Sequence, residues 1–221
     1  MKIYFKVFIL ELVQHYRNLG SCFNIIFFYL MLIVLFPLSI TSNGYYLSNI
    51  GVGIIWVSFL LSMLLTGESI FIKNIHNGLL EQLIISRISI PCVIIIQVFV
   101  QWVAVIFPLI MLTPIAIILL HVPLYTGLVL IFSLLISTPS ILMIISLASS
   151  LTICLKNRSI LLIILVIPLI IPIIITSIGS VYLFTIGISN SAQIALLLAT
   201  FIFSLLFIPI IISLILTESM R

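Results

Sequence analysis

The side chains that could do acid–base, thiol or metal chemistry are few. They are His15, His76 and His121, Cys22, Cys92 and Cys154, and Glu11, Glu68, Glu81 and Glu218; there is no Asp. No cluster of these types has metal-site spacing, and no CxxC occurs. No Gly-rich loop ends in Gly-Lys-Ser/Thr, so that route to ATP hydrolysis is closed to the chain acting alone. The many serines include none in a nucleophile elbow with a recognisable base. The expectation is a protein with no catalytic residue and no metal site, whose three Cys are buried or interfacial thiols. What remains is binding, and the polar residues cluster densely in one place. Residues 67–87 carry Glu68, Lys73, Glu81 and Arg87, four of the chain's twelve charges. Asn77-Gly78 is a strong turn signal. Leu79, Leu80, Leu83 and Ile84 follow at helical spacing, with Glu81 and Gln82 on the polar side. The pattern is that of two short amphipathic elements around a turn, open to two readings: an ordinary lipid-facing loop, or a surface on which a soluble partner docks.

The elements that hold this segment follow from composition. Of 221 residues 64% are hydrophobic and 5% charged, against about 25% charged in a soluble domain. So few charges cannot solvate a globular surface, and the chain reads as an integral membrane protein. Charges divide it into three uncharged stretches, 18–67, 88–155 and 159–217. A helix crossing hydrocarbon needs about 20 residues, so each stretch is too long for one span and suits a hairpin of two. Each midpoint carries a polar or breaker-rich turn: Thr41-Ser42-Asn43-Gly44, His121-Val122-Pro123 to Thr126-Gly127, and Gly187 to Asn190-Ser191. The expected fold is all-α, with six transmembrane helices near 20–41, 47–66, 91–118, 127–153, 160–182 and 192–216. The prolines at 91, 108, 114 and 139 predict tilts, kinks or a partly re-entrant end in the third and fourth spans. Pro37, Pro168, Pro172 and Pro209 read likewise as kinks and packing devices.

Six spans put both termini and all twelve charges on one side. The positive-inside rule makes that side the cytoplasm, or the matrix for an organelle-encoded chain. The spans contain no Asp, Glu, Lys, Arg or His, which argues against a proton- or ion-coupled transporter. At the N-terminus, Phe5, Phe8, Ile9, Leu12, Val13 and Tyr16 cover one helical arc. Lys2, Lys6, Glu11, Gln14 and Arg17 lie mostly on the other, so residues 2–18 read as an amphipathic interfacial helix; the alternative is a first span that begins earlier, with Glu11 buried. Trp56 and Trp102 are expected toward opposite interfaces, in an aromatic belt.

The 67–87 segment, Phe71-Ile72-Lys73-Asn74-Ile75-His76-Asn77-Gly78-Leu79-Leu80-Glu81-Gln82-Leu83-Ile84-Ile85-Ser86-Arg87, resembles the inner-loop motif of the CcmB family. That family supplies the membrane subunit of the ABC-type complex of cytochrome c maturation. Glu11-Leu12, Leu35-Phe36-Pro37-Leu38 and Gly53-Ile54-Ile55-Trp56-Val57 match in order and spacing. So do Gln101-Trp102 with Pro108-Leu109 and Pro114, Thr138-Pro139-Ser140, Leu165-Val166-Ile167-Pro168-Leu169 and Pro209. Departures are Asn74, His76 and Asn77 where the family has acidic residues, Arg87 for its proline, Gln101 for a histidine and Thr217 for a basic residue.

The resemblance implies an ABC-2 permease-like subunit in the cell inner membrane, with no enzymatic activity of its own. It implies a separate ATPase subunit that binds ATP, two copies of each chain, a haem-handling membrane protein, a small single-span subunit and a membrane-anchored haem chaperone. Haem is handled by those partners, and no bound cofactor is expected on this chain. His121, the one candidate haem ligand on the outer side, is expected not to serve as one. On this reading residues 67–87 couple the ATPase to the membrane. Lys73, Gly78, Leu79, Leu80, Glu81, Gln82, Leu83 and Ser86 form the contact, and Glu11 and Arg17 brace it from the N-terminal helix. Trp56, Trp102, Pro108, Pro139 and Pro168 mark the family's membrane motifs. A permease for a lipid or polysaccharide shares the six-span plan, and a membrane scaffold without an ATPase is the other alternative.

Overall fold

The computed structural model describes residues 2–17, 19–39, 44–67, 89–153, 155 and 158–219. Regular structure among them is entirely helical. Helix α1 is Lys2–Arg17, α2 Leu19–Ser39 and α3 Gly44–Gly67. Helix α4 (Ile90–Gln101) runs through a π turn at Trp102–Ile106 into α5, Phe107–Leu119. Then follow α6 Leu124–Thr152, α7 Arg158–Thr185 and α8 Ser191–Ser219. Six helical stretches are long and apolar enough to cross a membrane, the α4–π–α5 unit counting as one. Helix is the form that lets an isolated span satisfy its own backbone in hydrocarbon.

Helix α6 is the central post. It packs on α7 and α8 most extensively, and also on α3, α4 and α5, while α2 leans on α3 and α5 from the periphery. The buried face of α6 is unusually rich in small hydroxyl residues: Ser133, Ser137, Thr138, Ser140, Ser146, Ser149, Ser150 and Thr152. Most of those hydroxyls bond back to their own helix. Ser133 donates to the Leu130 carbonyl at 2.8 Å, Ser137 to Ser133 at 2.6 Å, Ser146 to Met143 at 2.7 Å and Ser150 to Leu147 at 2.7 Å. The polar atoms are thereby satisfied without a partner helix, and the short side chains let neighbouring backbones come close. Two hydroxyls reach across: Ser177 of α7 to Ser137 at 3.4 Å, and Thr138, which accepts from Trp102 Nε1 at 3.0 Å.

The π turn sits one position before Pro108. The Phe107 amide donates to the Trp102 carbonyl, five residues back. Proline brings no amide proton, and a widened turn is one way a helix absorbs that loss without breaking. The third span is therefore continuous. The fourth also stays continuous through Pro139, and α7 and α8 contain Pro168, Pro172 and Pro209 in the same manner.

At the uncharged end two turns have one design. After α5, Val122 donates to Ile117 at 3.0 Å and His121 to Ile118 at 3.2 Å. After α7, Ile188 donates to Leu183 at 3.0 Å and Gly187 to Phe184 at 3.1 Å. Both are Schellman closures, which require a left-handed residue. Gly187 takes φ 75° freely, whereas His121 holds φ 54° with a side chain attached.

The tryptophans do not form an interfacial belt. Trp56 lies midway along α3, fully buried within the core, and Trp102 lies midway along the third span. The indole of Trp102 finds its hydrogen-bond partner in Thr138 rather than in headgroups or water. The turn at Thr41-Ser42-Asn43 lies outside the described residues, and Gly44 opens α3.

Two outcomes are expected. A Cβ on Gly51 would stand 2.6 Å from Val122 Cγ2 and 3.3 Å from Leu120 Cβ, while one on Gly53 would meet nothing within 4 Å. In mixed-micelle unfolding, Gly51→Ala should therefore lose about 1–3 kcal/mol, and Gly53→Ala should not. His121→Gly, which removes the left-handed strain, should gain about 1 kcal/mol in the same assay.

Candidate functional site

The charged end of the bundle brings together the start of α1, the start of α4 and the end of α3, the two helices that residues 68–88 connect. Lys73, Gly78, Leu79, Leu80, Glu81, Gln82, Leu83 and Ser86, the expected contact to an ATPase, all lie outside the described residues. The roots of that segment are described. Gly67 closes α3 against α6 and α7: a Cβ there would stand 2.5 Å from Ile145 Cγ2 and 3.4 Å from Leu162 Cδ1. The other root, Ser89, is the N-cap of α4 with φ −66° and ψ 109°, yet its side chain makes no capping bond. Its Oγ lies 2.8 Å from the Tyr4 hydroxyl of α1 instead.

Helix α1 packs along α4, and its orientation reverses the expected one at Glu11. The polar arc was expected to face water. Glu11 is instead buried, 8% exposed, and its Oε1 accepts from Gln97 Nε2 at 2.9 Å. Ile9 and Val13 of the apolar arc face outward, as does Leu10 beside Glu11. The physical reason is the solvent. Lipid accepts aliphatic side chains, so the apolar arc needs no protein cover, whereas a carboxylate near hydrocarbon needs a polar partner. Arg17 ends α1.

Gln97 stands seven residues into α4, roughly 10 Å along its axis at about 1.5 Å per residue. It is buried, as is Gln101 one turn further. Tyr4, Ser89 and Gln97 were not singled out by their sequence pattern. The signal existed for Gln97: two glutamines at i and i+4 in an apolar run share one helical face.

Two crevices open between α3 and α7. The larger, about 700 Å³, lies toward the uncharged end, among Ser48, Asn49, Tyr125, Thr126, Tyr182 and Thr185 and aliphatic residues of α3 and α7. The smaller, about 190 Å³, is lined by Leu60, Leu61, Leu64, Val166, Ile170 and Ile174 among others. Val57 borders both. Their walls offer hydroxyls, an amide and hydrocarbon, with no charged group, imidazole or thiol. His121 is exposed in the neighbouring turn. Among the described residues no three His, Cys, Asp or Glu side chains gather as a metal site. Trp102 sits in the π turn, Pro108 just after it, and Pro139 and Pro168 inside α6 and α7. These motif residues shape the spans and share no single site.

Comparison with known proteins agrees with this arrangement. The family model described as CcmB protein matches residues 2–218. A Haemophilus influenzae protein named heme exporter protein B is 35% identical over 164 residues, 74% of each chain. The Escherichia coli K12 protein of that name is 37% identical over 111 residues, half of each chain. The Pseudomonas aeruginosa one is 28% identical over 151 residues, 68% of each. A match that runs through α1 and all six candidate spans places this chain in the CcmB protein family.

Proposed function

We propose that this chain is the membrane subunit of an ATP-driven complex of cytochrome c biogenesis. It would couple ATP hydrolysis on a partner subunit to haem export, or to release of a haem-loaded chaperone at the uncharged face. The observation that carries this reading is the family match over residues 2–218. Three further observations support it. The sequence has no Gly-Lys-Ser/Thr phosphate loop, so an ATP-driven role needs a second subunit. The segment 68–88 holds a third of the charges and joins α3 to α4 at the charged end. The larger crevice between α3 and α7 lies toward the uncharged face, the side on which the hand-off would take place.

In this reading the charged end faces the cytoplasm from the inner membrane, following the excess of Lys and Arg. Two copies of the chain meet two ATPase subunits there. The haem-handling protein, the single-span subunit and the chaperone approach through the membrane and the opposite face. Leu79, Leu80 and Leu83 enter the ATPase groove, while Lys73, Glu81 and Gln82 set their register. Closure of the ATPase pair displaces the segment only because its contacts differ between the nucleotide states.

Purification of the tagged chain should therefore bring down an ATPase subunit. Leu80→Glu or Leu83→Glu should leave the chain in the membrane while lowering cytochrome c formed per ATP hydrolysed by about tenfold or more, because a charge enters an apolar contact. Normal cytochrome c yield in both variants would sink the coupling assignment.

A further inference from the structure

A buried carboxylate in a membrane protein asks for a role, and Glu11 belongs to a helix that lipid alone would hold. Two polar contacts fasten α1 to the third span. One is Gln97 Nε2 to Glu11 Oε1 at 2.9 Å, with both residues more than nine-tenths buried. The other is Tyr4 Oη to Ser89 Oγ at 2.8 Å, made by an N-cap serine that leaves its own helix uncapped. The two are 85 and 86 residues apart in sequence, so neither is a local by-product of helix geometry. Seven residues separate Tyr4 from Glu11, and eight separate Ser89 from Gln97. Those are two helical turns on each side, so the contacts clamp α1 and α4 at two levels along a common direction. Ile9 and Val13 of the apolar arc stay turned to lipid, as does Leu10, and offer no resistance to sliding.

We propose that α1 and α4 form one rigid body, with Glu11 and Gln97 as the positioning pair that locks the interfacial helix to the span into which residues 68–88 feed. The two roots of that segment then differ. The α3 root ends at Gly67, against α6 and α7. The α4 root is clamped to α1. Displacement of the segment moves the α1–α4 body against α3, and Glu11 keeps α1 from being left behind. The mechanical role rests on the coupling reading of 68–88; the clamp itself does not.

The test uses spin labels at Leu10→Cys and Phe99→Cys, both outward-facing, in a background with Cys22, Cys92 and Cys154 replaced by Ser. In the complex purified with its ATPase, the 10–99 distance should be narrow and equal with and without ATP. The distance from 10 to a label at Leu61→Cys on α3 should change. Glu11→Ala should broaden the 10–99 distribution, and Glu11→Gln, which still accepts from Gln97, should not. Gln97→Glu sets two carboxylates face to face. It should lower cytochrome c formed per ATP hydrolysed by about tenfold with the complex still assembled, and Glu11→Gln added to it should restore the ratio. A purely structural role would lower the amount of complex and leave that ratio alone. A 10–99 distance that shifts with ATP, or that stays narrow in Glu11→Ala, overturns the proposal, as does a normal ratio in Gln97→Glu. Absence of any ATPase in the purified material would instead overturn the coupling reading, and the Glu11→Ala comparison on the chain alone would still judge the clamp.

Discussion

In a bilayer, apolar surface gains nothing by leaving lipid for protein, so close packing has to hold the helices together. The inner helices of this bundle lean on the face of α6 where that packing is possible. A row of serines and threonines there replaces bulk with short side chains, and most of their hydroxyls are returned to carbonyls three or four residues back. The neighbours approach a surface that is polar in composition but largely satisfied, Ser140 Oγ being the exception. At Ser137 and Thr138 a hydroxyl engages a second helix, one bond to α7 and one to the third span. Those two contacts sit at adjacent residues, beside Pro139, at the middle of the post.

The same economy governs the irregular places. The π turn before Pro108 spends one residue to keep the third span unbroken, and it carries Trp102 to Thr138. The two Schellman turns at the uncharged end close α5 and α7 with their own amides. That end has no charge to solvate, so its turns must satisfy themselves. The charged end is built the other way. Its polar groups are used between elements, Tyr4 with Ser89 and Glu11 with Gln97, and they join segments far apart in sequence. At that end α1 and α4 are tied together at two levels. The opposite end is closed locally, and the larger of the α3–α7 crevices lies toward it.

Much of the fold was legible in the residues because hydrocarbon imposes a harsh filter on charge. Twelve charges and their gaps were enough to anticipate six spans, the N-terminal helix and the hairpin turns after α5 and α7. The candidate site was legible in a different sense. Gly78-Leu79-Leu80-Glu81-Gln82 was recognisable as a motif, while Gln97, Tyr4 and Ser89 were not, since a glutamine or a serine in an apolar run carries no mark of what it will face. Trp56 shows the limit from the other side. Its type suggested an interface, but its position twelve residues into a 24-residue helix places it at mid-depth, where only the core could take it.

The sequence by itself determined class, span number, the segregation of charge and the family, because each follows from composition and order along one dimension. The tertiary structure decided which way α1 turns. An amphipathic arc has two faces, and the pattern alone leaves open whether Glu11 lies at the interface or is buried. Beside a bilayer the choice is settled by which face has a partner. Leu10 needs none, Glu11 needs a donor, and Gln97 supplies it from a residue 86 positions away. That pairing turns an interfacial helix into part of the third span, and no reading of either segment alone contains it.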